Sequence, residues 1–180
     1  MAKLTITEAL AEVKTLNARI QKKRESIMRY FARDGRLRDP LESDGGSIEF
    51  VKRERQAVAD LEARIVAIRC AIQTSNLSTS ATVGEQTRPV AAWLNWRREI
   101  SQNSRQFLAT MTATLNKVRQ DCLKQGWTVT ERDAGTAQAG EVIVSINERQ
   151  LAKETEAMEQ LLGELDGKLS LLNATTTIEV

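Results

Sequence analysis

The sequence contains no histidine, and only two cysteines, two prolines and 4% aromatic residues occur among its 180 positions. The lack of histidine excludes imidazole acid–base catalysis, histidine-containing triads and histidine metal ligands. Cys70 and Cys122 are too few for a disulfide scaffold or a four-sulfur zinc site. Each lies in a predicted helix near an apolar seam and without an adjacent base, so we interpret both thiols as buried, reduced and inert. We therefore expect no enzymatic activity, no cofactor and no metal.

Long apolar runs are also missing, since the longest are short segments such as Val90–Leu94 and Ile65–Ile68. A membrane-spanning helix needs about 20 predominantly apolar residues, so the sequence predicts no membrane span. Met1–Thr5 leads into an amphipathic pattern and not into an apolar signal core. We therefore expect a cytoplasmic protein, or a virion component assembled in the cytoplasm.

The residues that are abundant are those of long helices: 41% of the chain is hydrophobic and 28% is charged. Apolar residues recur every seven positions in the first two predicted helices, and Thr5 and Glu8 have the spacing of a capping box. We predict a mainly α fold, an antiparallel helical bundle of coiled-coil hairpins with one small β-hairpin, in a single domain over 1–180. Its predicted parts are a helical hairpin over 5–74, an extended linker over 75–88, a helix over 89–125, a β-hairpin over 127–146 and a C-terminal helix over 147–172.

The net charge of +2 is unevenly distributed. Residues 131–180 contain ten acidic and four basic side chains, whereas residues 1–130 contain fourteen acidic and twenty-two basic ones. Opposite signs in different segments favour complementarity within or between chains over a uniformly basic surface for nucleic acid.

Basic residues are concentrated at the end of the first helix and the start of the second. These segments would meet at one end of the hairpin, where cations could contact phosphates or an acidic partner protein. Because acidic residues are interleaved and aromatics are few, we favour a solvated tip or subunit salt bridges, with nucleic-acid binding as the alternative. The candidate contact residues are Arg29, Arg33, Arg36, Arg38, Lys52 and Arg53.

The C-terminal helix has a narrow apolar seam at alternating steps of four and three. Narrow seams bury little surface, so we expect this one to lie between subunits of a homo-oligomer, with helix charge fixing the orientation. Trp96 lies at the edge of its helical face, either in the core or at an interface. The candidate interface residues are Leu151, Met158, Leu162, Leu165, Leu169, Leu172 and Trp96.

Four short segments resemble the septicolysin-like family of small, mainly helical proteins of bacteria and phage-related sequences. They are Glu8-Ala9-Leu10, Thr74–Thr79, Gly84–Arg98, and Leu165–Leu169 followed by Asn173-Ala-Thr-Thr. The chain differs from the family at Ala174, where members usually have tryptophan, and at Arg97-Arg98, where they have an Arg-Asp pair. The segment 127–141 is also longer than in the family pattern. The resemblance implies a helical fold and self-association, and the family name adds a membrane-active role as an alternative.

These observations predict a non-enzymatic, self-assembling structural protein. Its most specific form is a phage virion component, associated with the neck, tail or capsid. The expected partners are further copies of the chain and other structural proteins of the particle. A nucleic-acid-binding helical protein and a membrane-active septicolysin-like protein are the alternatives.

Overall fold

A computed structural model describes residues 3–131 and 139–180, and it confirms a mainly α fold. The contacts divide the chain into two compact units, where the sequence predicted one domain. Unit 1 comprises the described residues up to Thr79 together with Ser170–Val180, and unit 2 comprises those of Ser80–Leu169. The elements are β1 (Lys3–Thr5), α1 (Ile6–Tyr30), a 3₁₀ turn (Glu42–Asp44), α2 (Gly46–Ser78), β2 (Ser80–Val83), β3 (Gln86–Pro89), α3 (Val90–Trp96), a π-helical turn (Arg97–Ser101), α4 (Gln102–Gln125), β4 (Thr128–Thr130), β5 (Glu141–Ile143), α5 (Glu148–Thr175) and β6 (Thr177–Glu179).

In unit 1, α1 and α2 pack against each other as an antiparallel hairpin. The core between them consists of aliphatic side chains at helical spacing, which gives each helix one apolar face that packs against the other helix. Cross-helix salt bridges flank this core and set the antiparallel register: Glu12 with Arg64 at 2.9 Å, Lys23 with Glu54 at 2.8 Å and Arg24 with Glu62 at 2.7 Å. The buried core residues are Ile6, Ala9, Val13, Leu16, Ile68, Ile72 and Ile178.

The start of α1 has the predicted capping box. Thr5 Oγ1 accepts a hydrogen bond from Glu8 N at 3.2 Å, and the Glu8 carboxylate accepts one from Thr5 N at 2.8 Å. The latter bond lowers the pKa of Glu8. Immediately before this cap, β1 pairs antiparallel with β6, which places Leu4 opposite the buried Ile178. The two ends of the chain are therefore joined in unit 1.

A β-hairpin in unit 2 replaces most of the extended linker predicted over 75–88, and that prediction was wrong. Helix α2 continues to Ser78, and β2 then pairs antiparallel with β3 around a turn containing Gly84 at φ 56°. The Ser/Thr-rich sequence alternates in burial, because Ala81 and Val83 point into the core between exposed neighbours. Such alternation with β-branched residues is a strand pattern.

The predicted helix over 89–125 consists of α3 and α4 joined by the π-helical turn. Within that turn, the buried Ser101 donates its hydroxyl proton to Arg97 O at 2.7 Å. Helix α4 buries Leu108, Leu115 and Cys122, which lie seven residues apart, and it ends at Gly126 in the left-handed conformation.

Strands β4 and β5 pair in parallel, with Val129 opposite Val142, so the predicted antiparallel hairpin over 127–146 was wrong. Ten residues separate the end of β4 at Thr130 from the start of β5 at Glu141. The pairing is extended by hydrogen bonds from Thr128 N to Gly140 O and from Val144 N to Thr130 O, at 2.9 and 3.0 Å. Positions 132–138 of the predicted hairpin lie outside the described residues.

Candidate interaction surfaces

The leucine seam predicted as an oligomer interface lies largely inside the chain. Leu151, Leu165 and Leu169 are buried, so these three side chains have no surface to offer a partner. Trp96 packs edge-on against the buried Trp93 with ring centroids 5.8 Å apart, which places it at the edge of the core. The seam residues that are only half-buried are Met158, Leu162 and Leu172.

Three acidic side chains of α5 form ion pairs within unit 2. Asp166 pairs with Arg97 at 3.0 Å, Glu159 pairs with Arg105 at 2.8 Å, and Glu148 forms a two-bonded ion pair with Arg119. The Arg119 guanidinium lowers the pKa of Glu148. The complementarity expected from the charge distribution is therefore intramolecular for these three carboxylates.

The basic residues predicted at the hairpin tip lie together there, but most of them already have partners. Arg33 donates to Leu37 O at 2.8 Å and lies 3.6 Å from Asp39. Arg29 has no ion pair within residues 3–131 and 139–180. The remaining four are held by Arg36–Asp34, Arg38–Glu42, Lys52–Glu49 and the stacking of Arg53 over the Phe50 ring. Neighbouring carboxylates weaken the attraction of this surface for phosphates.

Asp39 joins the hairpin loop to the start of α2. Its carboxylate accepts hydrogen bonds from Ser47 Oγ at 2.6 Å, Ser47 N at 2.9 Å and Leu41 N at 2.9 Å. These donors, led by Ser47, lower the pKa of Asp39 to about 2. The residue preceding α2, Gly45, has no side chain to cap the helix, so Asp39 supplies the cap from the loop. Sequence reasoning missed this role because the cap lies eight positions before its partner.

We expect stability to depend on the ionisation of Asp39. Because its pKa is lower in the folded chain than its ordinary value of 3.8, its contribution is complete above that value and is lost as the pH falls towards 2. Asp39→Ala should lower the melting temperature at pH 7 by about 3 °C. Between pH 5 and 2, the melting temperature of this variant should also fall less than that of the wild type. Melting curves followed by circular dichroism at pH 5 and pH 2 measure the fall in melting temperature. An equal fall in the variant and the wild type would contradict the role of Asp39.

An open cleft of about 630 Å³, which we call the tip cleft, lies between the end of α1 and the start of α2. Its walls combine apolar side chains, among them the largely exposed Phe31 and Ile48, with the cations Arg33, Lys52 and Arg55. No acidic side chain of the described residues lines it. The cleft therefore suits an apolar group, or an amphipathic group in which a negative charge lies beside an apolar part.

A second apolar face of α2, which we call the outer stripe, remains exposed on the side of the helix opposite the buried Ile68. Its six members are spaced alternately four and three residues apart, and the first and last lie 18 residues apart, which is about 27 Å of helix. Val66 and Leu77 expose 61% and 67% of their surfaces. Sequence reasoning missed the stripe because small and polar residues interrupt it. The outer stripe consists of Ala59, Ala63, Val66, Cys70, Gln73 and Leu77. The prediction that Cys70 is buried was therefore wrong, because it lies on this exposed face, whereas Cys122 is buried as predicted.

Unit 2 also exposes apolar side chains. Ile100 and Phe107, seven residues apart, each expose more than half of their surface. No group of three or more metal-ligating side chains occurs in the described part of the chain. Helix by helix, the described residues contain no segment long and apolar enough to cross a membrane.

These features describe a helical protein that leaves several large apolar side chains exposed. Comparison of the chain with protein family models, curated proteins and solved structures found no match. The resemblance to the septicolysin-like family therefore stays a prediction.

Proposed function

We propose that this chain is a non-enzymatic assembly protein that associates with copies of itself. The observation that carries this proposal is the outer stripe. It is a row of small and apolar side chains at heptad spacing, interrupted by Gln73, on a 33-residue helix, and it is exposed within the part of the chain that the structure describes. Such a pattern is typical of helices that pack against another helix. The more specific proposal is a structural component of a phage particle, at the neck, tail or capsid.

The two alternative functions have less support. Nucleic-acid binding would use the basic tip, where five of the six predicted contact residues are already engaged by carboxylates, a carbonyl or an aromatic ring. A membrane-active role is supported only by the resemblance to the septicolysin-like family. Assembly draws on a surface that the folded chain leaves open.

Light scattering coupled to size-exclusion chromatography tests the proposed function. The wild-type protein should elute at a multiple of its 20.1 kDa chain mass. The double variant Val66→Glu/Cys70→Glu should return to the mass of one chain, because four added charges per dimer would be buried without partners. Both positions are exposed, so circular dichroism should show unchanged helix content.

A matched control places the same two charges elsewhere. Ala11→Glu/Ala113→Glu changes two exposed positions on α1 and α4 that lie off the outer stripe, and its mass should equal that of the wild type. If the wild-type protein keeps the mass of one chain at concentrations up to about 100 µM, the proposal is overturned. A stable interface has a dissociation constant below this concentration.

A further inference from the structure

We propose that the outer stripe of α2 is covered by the same stripe of a second copy, running antiparallel to it. This inference rests on the proposed function of self-association and specifies the surface, the direction and the register. A helix with apolar residues at heptad spacing on two opposite faces can pack on both sides at once. One of these faces of α2 already packs against α1, at Ile68 and Ile72.

An antiparallel pairing brings small residues opposite larger ones. In an antiparallel coiled coil, the a positions of one helix lie opposite the d positions of the other. Ala63 then lies opposite Val66 of the second copy, and Ala59 lies opposite Cys70 of the second copy. Alternation of small and larger side chains lets the two helices approach closely between Ala59 and Cys70, whereas Gln73 lies opposite Gln56 of the second copy.

Charged residues beside the stripe complement each other in the same register. Arg55, Glu62 and Arg69 form an exposed row along one edge of the stripe, seven residues apart. The antiparallel register puts Glu62 beside Arg69 of the second copy, and the twofold symmetry repeats this pair. In its own chain Glu62 accepts a bond from Arg24 through Oε1 only, and Arg69 has no ion pair among the described residues.

The register also separates like charges. A parallel pairing would bring Lys52, which continues the stripe towards the tip, against Lys52 of the second copy. The antiparallel pairing instead puts Leu77 of the second copy over Lys52, at the mouth of the tip cleft. Apolar surface from Phe31 and Ile48 is available there to cover Leu77. The stripe and the cleft then form one continuous contact surface.

Disulfide trapping in the full-length protein tests the register. After mild oxidation, Ala59→Cys should become a covalent dimer through bonds to Cys70 of the second copy, seen on a non-reducing gel. The wild type should stay uncrosslinked, because the proposed register separates its two Cys70 residues by about 16 Å along the helix axis, far beyond disulfide range. Cys122 is buried and should not react. Ala67→Cys, exposed on α2 but off the stripe, is the matched control and should also stay uncrosslinked.

A charge swap gives a second, independent readout. Glu62→Arg and Arg69→Glu should each weaken dimerisation by about tenfold, since each replaces two attractive contacts by two repulsive ones. The double variant Glu62→Arg/Arg69→Glu should recover most of the wild-type affinity. Loss of the Arg24 contact is common to the single and double variants at position 62, so recovery isolates the contact between copies.

The outcomes separate this inference from the proposed function. Crosslinking of the wild type through Cys70 would place the two Cys70 residues within disulfide range and overturn the proposed register. An oligomeric mass without crosslinking of Ala59→Cys and without recovery in the charge swap would overturn the inference while the proposed function stands. A wild-type mass of one chain would overturn both.

Discussion

Trp93→Ala should lower the free energy of unfolding by about 3–5 kcal/mol, the usual cost of removing a large buried aromatic side chain. Trp93 is 1% exposed, and its indole Nε1–H donates a hydrogen bond to Ala81 O at 2.9 Å. The substitution leaves a cavity beside Trp96 and a buried carbonyl of β2 without its donor. Chemical denaturation followed by circular dichroism measures the loss.

Two further variants interpret the Trp93 result. Trp93→Phe keeps a ring in the core but removes the hydrogen bond, so it should cost less than the alanine substitution. Trp127→Ala, at a half-exposed tryptophan, should change the free energy of unfolding by less than about 1 kcal/mol. A Trp93→Ala variant as stable as Trp127→Ala would show that Trp93 does not organise unit 2.

Ile68→Ala should lower the free energy of unfolding by about 2–5 kcal/mol, because it deletes three carbons from the contact between α1 and α2. Ile68 is fully buried, at 0% exposure, within the cluster that joins both helices to Ile178 of β6. Loss of this contact weakens the packing of both helices and of the strand that joins the chain ends. Denaturation curves at a fixed protein concentration measure the change.

Leu123→Ala is the control for Ile68→Ala, since it also deletes three side-chain carbons from a helix, but at a position on α4 that is 79% exposed. Its free energy of unfolding should stay within about 0.5 kcal/mol of the wild type. Equal effects at the two positions would mean that α2 does not direct its Ile68 face towards α1.

Contacts within the chain already occupy two features of α5 that were expected to lie between subunits. Leu165 was expected to meet another subunit, but it is buried, so a charge there would disrupt the fold before it tested association. The carboxylates of α5 that were expected to orient subunits are paired with arginines of unit 2. The proposed association therefore rests on faces that the fold leaves open, above all the outer stripe.

Local signals in the sequence predicted the helices well. The capping box of Thr5 and Glu8 marked the start of α1, and Gly126 marked the end of α4. Capping groups and helical periodicity act within a few residues, so they can be recognised without knowing the rest of the fold. The helical hairpin followed from two such helices joined by a short polar loop.

Pairings between distant segments could not be predicted in this way. The parallel direction of β4 and β5, and the pairing of β1 with β6, depend on where the intervening chain places each strand. Short strands have little pattern of their own, and their partners are chosen by burial and hydrogen bonding in the folded chain. Asp39 as the cap of α2 belongs to the same class, because it acts across a loop.

By itself, the sequence determined that this protein is built from long amphipathic helices without histidine chemistry or a long apolar run. Only the tertiary structure decided which apolar face of each helix is buried. On α2, Ile68 lies inside and Val66, two residues away, lies outside, although both belong to heptad patterns. On α5, the predicted interface at Leu165 became core. The reason is physical: periodicity defines a face, but only the surface packed against it determines whether that face is core or contact.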